Sequence, residues 1–263
     1  YGACEAMGIP AETAISESGA GQYEINLSHG PALKAADDAW LFKLLIKGLA
    51  RKHGYAASFM AKPFPDAPGN GMHVHFSVVD ANGVNVFNNG GETGSDELLY
   101  AVGGCLAAMK DQTLVFAPHG NSYERLVPGA HAPTGIGWAY ENRTAAIRIP
   151  GGPPAARRIE HRVAGGDINP YLMLAAVLGA AITGIEDKMV PAQPIKGNAY
   201  ARQSDRIPAE WAEAIDMFAD SAIMRRVFSE QLIQNYVMTK RQELNRFADL
   251  NPEERIELYL DSV

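Results

Sequence analysis

Four short segments of the sequence alternate polar or charged residues with apolar ones, a period of two that predicts β-strands. The segments are 22–27 (QYEINL), 71–77 (GMHVHFS), 142–149 (NRTAAIRI) and 157–162 (RRIEHR). Successive side chains of a strand point to opposite faces, so the first, second and fourth segments should carry their chargeable side chains on one face. The first two segments should bury the other, apolar face. The pattern predicts a sheet that lines an active site.

The face assignments group residues of related chemistry. On one face the predicted strands place Gln22 with Glu24 and Asn26, His73 with His75 and Ser77, and Arg158 with Glu160 and Arg162. Each group therefore combines carboxylates, imidazoles or guanidinium groups that a polar substrate or a cation could contact.

The composition of the 263-residue chain is that of an ordinary globular protein, with 47% apolar and 20% charged residues. The net charge is −7 and no basic patch is present, which excludes a typical nucleic-acid-binding protein. The longest apolar stretch, residues 171–185, is too short and too rich in Ala and Gly for a membrane span. Cys4 and Cys105 fit no metal or redox spacing, so we expect a reducing compartment and a cytoplasmic protein.

Helical periodicity and capping residues predict helices in the second half of the chain and around its first strands. The predicted helices cover residues 33–53, 96–109 with Ser95 as cap, 170–187, 208–228, 230–247, and a last one capped by Asn251. Residues 55–62 are predicted as a strand, and residues 118–137 and 196–206 as loops. Strands followed by helices favour an α+β fold. Residues 1–7 look like the end of a helix already under way, so we expect a fragment of a longer protein.

Two pairs of residues are candidate metal ligands. Glu17 and Glu24 flank a Gly-containing turn, and hard divalent cations bind carboxylate oxygens. On this pair alone, two solvated surface glutamates are the simpler interpretation. His73 and His75 form an H-x-H pair on one strand face, and imidazole binds Mn²⁺ or Zn²⁺. Structural histidines are at least as common in such a pattern, although the neighbouring glycines would permit close approach of a ligand.

Arginines are concentrated between residues 125 and 162, where six of them stand beside loops rich in Gly and Pro: Arg125, Arg143, Arg148, Arg157, Arg158 and Arg162. The planar guanidinium group suits carboxylate and phosphate, so the cluster favours an anion site over a set of solvated arginines. Glu160 between two arginines should keep a low pKa and be ready to bind metal. The sequence has no Walker A or G-x-G-x-x-G motif and no defensible Ser-His-Asp order.

Five motifs in this order resemble the glutamine synthetase superfamily: GQYE at 21–24, NGMHVH at 70–75, NSYERLVPG at 121–129, NRTAAIRIP at 142–150, and RIEHR at 158–162 followed by DINPY at 167–171. The resemblance implies an α+β catalytic domain with an antiparallel curved sheet that lines an active-site funnel, helices packed on it, and a helical C-terminal region. It implies an ATP-dependent ligase that converts glutamate to γ-glutamyl phosphate and transfers it to an amine. It also implies Mg²⁺ or Mn²⁺ ions and a ring-built homo-oligomer, with a dodecamer expected.

The resemblance also implies a role for each matching residue. Glu17 and Glu24 would hold one metal ion, and His73 and Glu160 a second. ATP would be contacted by His75, Ser77 and Arg158. The carboxylates of glutamate would be bound by Arg125 and Arg162, with the backbone of Gly69 near the amino group. Arg143 and Arg148 would neutralise the transferring phosphoryl group.

The sequence departs from the family pattern in several places. The Glu-x-Glu strand, which supplies one more ligand to each metal ion, and the N-terminal β-grasp domain are absent from residues 1–263. We therefore expect a truncated catalytic domain that is inactive by itself. His131 stands where ammonia-using members carry a Glu, and it is either a base for a bulkier amine or a loop residue without a chemical role. Pro68 replaces the Asn that usually precedes Gly69.

The aromatic residues Trp138 and Tyr140 resemble those of members that use polyamines or alkylamines, where an aromatic ring contacts the amine, although Trp138 would equally suit a core position. The leading hypothesis is a γ-glutamyl–amine ligase for such an amine. Glutamine synthetase, which uses ammonia, is the alternative within the family. A non-catalytic structural or binding member is the alternative of another class, and a guanidino-kinase-like enzyme is a distant third.

Overall fold

The computed structural model describes residues 1–202, 205–260 and 262–263. The strands are β1 (Ala11–Ser16), β2 (Tyr23–Leu27), β3 (Val74–Phe76), β4 (Trp138–Tyr140), β5 (Ile147–Ile149) and β6 (Ile159–His161). The helices are α1 (Gly2–Ala6), α2 (Ala32–Lys52), α3 (Asp96–Ala107), α4 (Thr113–Phe116), α5 (Ser122–Arg125), α6 (Pro170–Glu186), α7 (Trp211–Asp220), α8 (Met224–Val227), α9 (Glu230–Ala248) and α10 (Pro252–Leu260). The fold is α+β, as predicted.

A four-stranded sheet in the order β3-β6-β5-β4 forms the centre of the molecule. The pairs β3–β6 and β5–β6 are antiparallel, whereas β4 and β5 run parallel. The register places His75 opposite Glu160 and Arg148 opposite the same Glu160. Because directly paired residues share a face, three strands contribute side chains to one row. The predicted alternation of β3 and β6 is confirmed by this arrangement.

The hairpin β1–β2 forms a separate two-stranded sheet. Its residues Tyr23 and Ile15 are 69% and 43% exposed, so the prediction that this segment buries its apolar face is wrong for the described structure. The physical reason is that no second layer of the described residues covers that face. Among the described residues, one side-chain hydrogen bond ties the hairpin to the rest of the protein, from Gln22 Nε2 to the Gly69 carbonyl at 3.0 Å.

The predicted strand over residues 55–62 is wrong, because this segment has no strand partner in the described structure. Its buried end instead bonds to loops: the Lys62 amide donates to Asn121 Oδ1 at 3.0 Å, and the Asn70 amide donates to the Ala61 carbonyl at 2.8 Å. Apolar composition predicted burial here, and Met60 and Ala61 are indeed buried. Composition alone does not supply a neighbouring strand.

The predicted helix over residues 208–228 is two helices, α7 and α8, separated at Ser221. The extended backbone of Ser221 ends α7. Its hydroxyl donates to Asp111 Oδ2 at 2.6 Å and accepts the amide of Met224, the first residue of α8, at 3.0 Å. The predicted loop at 118–137 contains the short helix α5, and the predicted loop at 196–206 contains a 3₁₀ turn, Ala199–Ala201. Residues 203 and 204 of that loop lie outside the described residues.

The remaining helices are confirmed within a few residues, and side-chain caps explain where they begin. Oxygen atoms of Ser95, Asn169, Ser229 and Asn251 accept amides of the first turns of α3, α6, α9 and α10. In the described part of the chain, no helix is both long and apolar enough to cross a membrane.

Helices α3 and α6 pack so closely that glycine is required at their contact. A Cβ atom on Gly104 would lie 2.1 Å from the Ala180 carbonyl oxygen, and one on Gly184 would lie 2.2 Å from the Tyr100 carbonyl oxygen. Both distances fall well inside contact radii, so a larger side chain at either position would push the two helices apart.

We expect Gly104→Ala to lower the free energy of unfolding by about 1–3 kcal/mol, because an added methyl group overpacks this contact. The matched control is Gly48→Ala in α2, where an added Cβ meets nothing within 4 Å. That change should raise the free energy of unfolding by about 0.5–1 kcal/mol, through helix propensity alone. Urea denaturation measures both variants, and equal shifts would contradict the packing argument.

A buried histidine should make stability depend on pH. His161 packs against Phe116 with ring centroids 4.5 Å apart, and burial lowers the pKa of His161 to about 3. The pKa of an unfolded histidine is about 6.5, so the unfolded state takes up the proton first as the pH falls. The free energy of unfolding should therefore decrease as the pH drops from about 6.5 toward about 3.

The variant His161→Leu should lose this part of the pH dependence. Between about pH 7.5 and about pH 5 the unmodified chain should lose about 2 kcal/mol more than the variant. Urea denaturation at both pH values measures the difference. An equal loss in both proteins would show that His161 is not held neutral in the folded state.

Candidate active site

The buried carboxylate of Glu160 is the centre of the polar row on the sheet. Its Oε2 accepts a hydrogen bond from Arg148 at 2.7 Å, and its Oε1 accepts one from Arg162 at 2.5 Å. His73 Nδ1 lies 3.5 Å and His75 Nε2 3.9 Å from the same Oε1. The strand register therefore gathers two guanidinium groups and two imidazoles around one carboxylate.

The charges of this group follow from its surroundings. Burial raises the pKa of Glu160, but the charge of Arg162 and the hydrogen bond from Arg148 outweigh it, and the net pKa is lowered. The His73 ring is 34% exposed, yet loss of water around it and the charge of Arg162 lower its pKa to about 4. The pKa of His75 is lowered for the same first reason. Near neutral pH the site holds an ionised carboxylate beside two uncharged imidazoles.

The other predicted metal ligands do not join this group. Glu17 and Glu24 are exposed on the β1–β2 hairpin, where the Glu17 amide donates to the Gln22 carbonyl at 2.9 Å. Among residues 1–202, 205–260 and 262–263, no three or more His, Cys, Asp or Glu side chains are arranged to hold a metal ion. The structure thus brings His73 and Glu160 together as a pair, and leaves the glutamate pair separate.

Arg125 is seated by glycines. Its guanidinium is buried and donates through Nη1 to the Val163 carbonyl at 2.7 Å. A Cβ on Gly69 would lie 2.9 Å from Arg125 Cγ, and one on Gly71 would lie 2.7 Å from Arg125 Nη2. Burial lowers the pKa of Arg125 to about 10, so the group stays charged near neutral pH. Gly69 therefore acts here as space for the arginine.

A carboxylate that the sequence prediction missed lies behind Arg125. Asp167 is buried, and its Oδ2 accepts from Ser122 Oγ at 2.5 Å and lies 3.1 Å from His119 Nδ1. Burial raises the pKa of Asp167, but the hydrogen bonds from His119 and Ser122 outweigh burial and the net pKa is lowered. Asp167 and Ser122 stand in two of the quoted motifs, so their polar character was the available signal.

The predicted nucleotide-contacting residues lie at the exposed edge of β3. Arg158 Nε donates to His75 Nδ1 at 3.2 Å, and Ser77 is exposed beyond the end of the strand. The two predicted phosphoryl-binding arginines differ. Arg143 is exposed, whereas Arg148 bonds Glu160 and lies 3.7 Å from Glu141.

His131 lies on an exposed loop in the left-handed backbone region, with φ 56°. The Tyr200 hydroxyl donates to the His131 carbonyl at 2.9 Å. Trp138 is buried, and its Nε1 donates to the Ala192 carbonyl at 2.7 Å. Of the two interpretations of Trp138, the core position agrees with this structure.

Comparison with known proteins identifies the family. The glutamine synthetase catalytic-domain family matches residues 1–259. The chain is 36% identical over 253 residues to gamma-glutamylputrescine synthetase PuuA of Escherichia coli (strain K12). The aligned region covers 96% of this chain and 54% of the relative. The chain is 35% identical over 255 residues to the glutamine synthetase of Methanocaldococcus jannaschii, with 93% and 56% covered.

A solved structure described as apo GmaS without ligand superposes with a TM-score of 0.85 at 32% identity, over 98% of this chain and 61% of that one. The chain spans about half the length of the curated relatives that it matches. The resemblance drawn from the five motifs is confirmed. Because the catalytic-domain model matches residues 1–259, this chain belongs to the glutamine synthetase family.

Proposed function

We propose that the protein containing this chain is an ATP-dependent ligase that joins the γ-carboxylate of glutamate to a polyamine or alkylamine through γ-glutamyl phosphate. The observation that carries the proposal is the ionised Glu160, held between Arg148 and Arg162 beside the neutral His73. Such a charged group is not needed to stabilise a protein core, because apolar residues of similar volume are often at least as stabilising as a buried ion network.

The arginines supply the proposed glutamate site. Arg125 is buried with one hydrogen bond to Val163 and no ion pair within the described residues, so its remaining donors can receive a carboxylate. Arg162 is also buried and carries a second positive charge nearby. Buried guanidinium groups bind carboxylates strongly, often through two parallel hydrogen bonds. Gly69 would place backbone atoms near the amino group of glutamate.

The residue types fit a divalent cation, although only as part of a ligand set. His73 is neutral and presents a nitrogen lone pair, and Glu160 is ionised and lies 3.5 Å from it. Mg²⁺ or Mn²⁺ held by this pair would draw electron density from phosphate oxygens and neutralise their charge. Glu17 and Glu24 would hold a second ion, with further ligands from outside this chain.

The remaining residues serve the phosphoryl group and the nucleotide. An oxygen of the γ-carboxylate attacks the terminal phosphorus of ATP, the bond to the bridging oxygen breaks, and ADP leaves. Arg143 and Arg148 would stabilise the charge on the transferring group, while His75, Ser77 and Arg158 would contact the nucleotide. The amine nitrogen then attacks the acyl carbon and releases phosphate, and its proton passes to a base, for which His131 is the candidate.

The acceptor is inferred from His131 rather than from similarity, because the identities to the putrescine ligase and to the archaeal glutamine synthetase are nearly equal. Ammonia-using members resemble this chain but carry a Glu at this position, which attracts ammonium. An imidazole attracts a small cation less and can deprotonate a larger amine. Glutamine synthetase remains the second candidate, supported by the archaeal relative.

The assembly is proposed from the family alone. We propose a ring-built homo-oligomer for the protein that contains this catalytic domain. By itself this chain should show no turnover, because its described residues supply only two ligands to each proposed metal ion. A non-catalytic role is disfavoured, since such a protein would have no use for the charged group at Glu160.

The proposed reaction can be tested by phosphate release from the full-length protein with glutamate, ATP and a panel of amines. Putrescine or a simple alkylamine should give a kcat/KM at least about tenfold above that of ammonia. Glu160→Ala should abolish turnover with every acceptor through loss of the cation. Ammonia exceeding all amines would contradict the acceptor class, and near-normal activity of Glu160→Ala would contradict its role.

The acceptor assignment also predicts the effect of a charge at residue 131. His131→Glu should raise the kcat/KM for ammonia relative to that for the amine by about tenfold, since a carboxylate binds ammonium and takes its proton. The control His131→Gln removes the base without adding a charge and should lower activity with both acceptors. An unchanged ratio in His131→Glu would show that this loop residue has no part in the chemistry.

A further inference from the structure

Two exposed loops that carry His131 and Arg143 are joined by a third stretch of chain, residues 197–202, called here the bridge segment. The Asn142 side chain donates to the Gly197 carbonyl at 2.7 Å, and the Ala199 amide donates to Thr144 Oγ1 at 2.8 Å. The bridge segment is therefore fixed to the loop on either side of Arg143. Because these two hydrogen bonds lie at separate points, they fix the orientation of the bridge segment as well as its distance from the Arg143 loop.

The bridge segment has a defined shape that aims Tyr200 at the other loop. Asn198 Oδ1 accepts the Tyr200 amide at 3.0 Å and so caps the 3₁₀ turn Ala199–Ala201. From this turn the Tyr200 hydroxyl reaches the His131 carbonyl at 2.9 Å. Of the hydrogen bonds among the described residues, this one alone links residues 127–133 to a side chain elsewhere in the chain.

The loop around His131 has an uncommon backbone conformation. Gly129 and His131 both adopt positive φ, 88° and 56°, and the second is unfavourable for a residue with a Cβ. Beyond the loop the chain is fixed again, since the Ile207 amide donates to the Thr134 carbonyl at 3.0 Å. The exposed tip at His131 precedes this restraint, and the Tyr200 hydroxyl bonds it at the His131 carbonyl.

Tyr200 is also within electrostatic range of the two arginines of the proposed glutamate site, Arg162 and Arg125. Partial burial raises the pKa of Tyr200, and the nearby charges of Arg162 and Arg125 offset only part of that rise. The hydroxyl therefore keeps its proton near neutral pH and remains a donor. The side chain that bonds the His131 loop is thus within electrostatic range of both guanidinium groups.

We propose that Tyr200 is a positioning residue that holds the His131 loop at the acceptor side of the site, where a primary amine would approach the γ-glutamyl group. This inference rests on the proposed ligase function for its meaning in catalysis. The tether itself rests only on the contacts of Tyr200, Asn142 and Thr144. The two parts can therefore fail separately.

The test uses Tyr200→Phe in the full-length protein, which keeps the ring and removes the hydroxyl. Hydrogen exchange followed by mass spectrometry should show residues 127–133 exchanging about fivefold faster, the effect of one lost hydrogen bond. The KM for the amine should rise by about fivefold or more, with the KM for ATP within about twofold of its original value. A general loss of structure would raise both KM values and lower the unfolding temperature.

The matched control is Tyr171→Phe, which loses a hydrogen bond from its hydroxyl to Asp37 Oδ1 at 2.6 Å between α6 and α2. It should change neither the exchange of residues 127–133 nor the KM for the amine. Unchanged exchange in Tyr200→Phe would overturn the tether, whatever the enzyme does. Faster exchange with an unchanged KM for every amine would overturn the positioning role. A full-length protein without ligase activity would refute the proposed function and that role with it, while the exchange result would still decide the tether.

Discussion

The ion group around Glu160 is the interaction on which the rest of the site depends. A carboxylate removed from water is costly, and here two guanidinium groups offset that cost through hydrogen bonds of 2.7 and 2.5 Å. The donors come from β5 and from the residue after β6, so the group forms only when the strands are paired in this register. The same register sets the distance from Glu160 to His73.

Arg125 and Arg162 are both buried, but they meet negative charge in different ways. Arg162 bonds directly to Glu160, so part of its hydrogen-bonding capacity is used. Burial lowers the pKa of Arg125 and the charge of Asp167 offsets part of that effect, while Asp167 Oδ2 is occupied by Ser122 and His119. A counter-charge that does not bond the arginine leaves the guanidinium charged and its donors open. Arg125 can therefore receive a substrate carboxylate, while Arg162 keeps the proposed cation ligand Glu160 ordered.

Sequence patterns predicted the parts of the fold whose causes are local. Caps such as Ser95 and Asn169 mark helix starts because their side chains bond to the next few amides. The period of two placed Glu160 on the same face as its arginine neighbours. The strand predicted over residues 55–62 was wrong because a strand needs a partner far away in the chain. The helix break at Ser221 was missed because the hydrogen bond from Ser221 to Asp111 spans 110 residues. Asp167 was missed for the same reason, since its partner Ser122 is 45 residues away.

The two proposed metal pairs therefore differ in how firmly this chain holds them. His73 directly precedes β3, and Glu160 lies in β6, the strand that pairs with β3, so their separation is determined by the sheet. Glu17 and Glu24 sit on a two-stranded hairpin, which is marginally stable by itself, and Gln22 Nε2 to Gly69 is its side-chain bond to the central site. Because Gly69 also packs on Arg125, this bond links the hairpin to the proposed glutamate pocket. Any partner that covers the exposed Tyr23 and Ile15 would fix the hairpin and, through Gln22, the position of its carboxylates relative to Arg125.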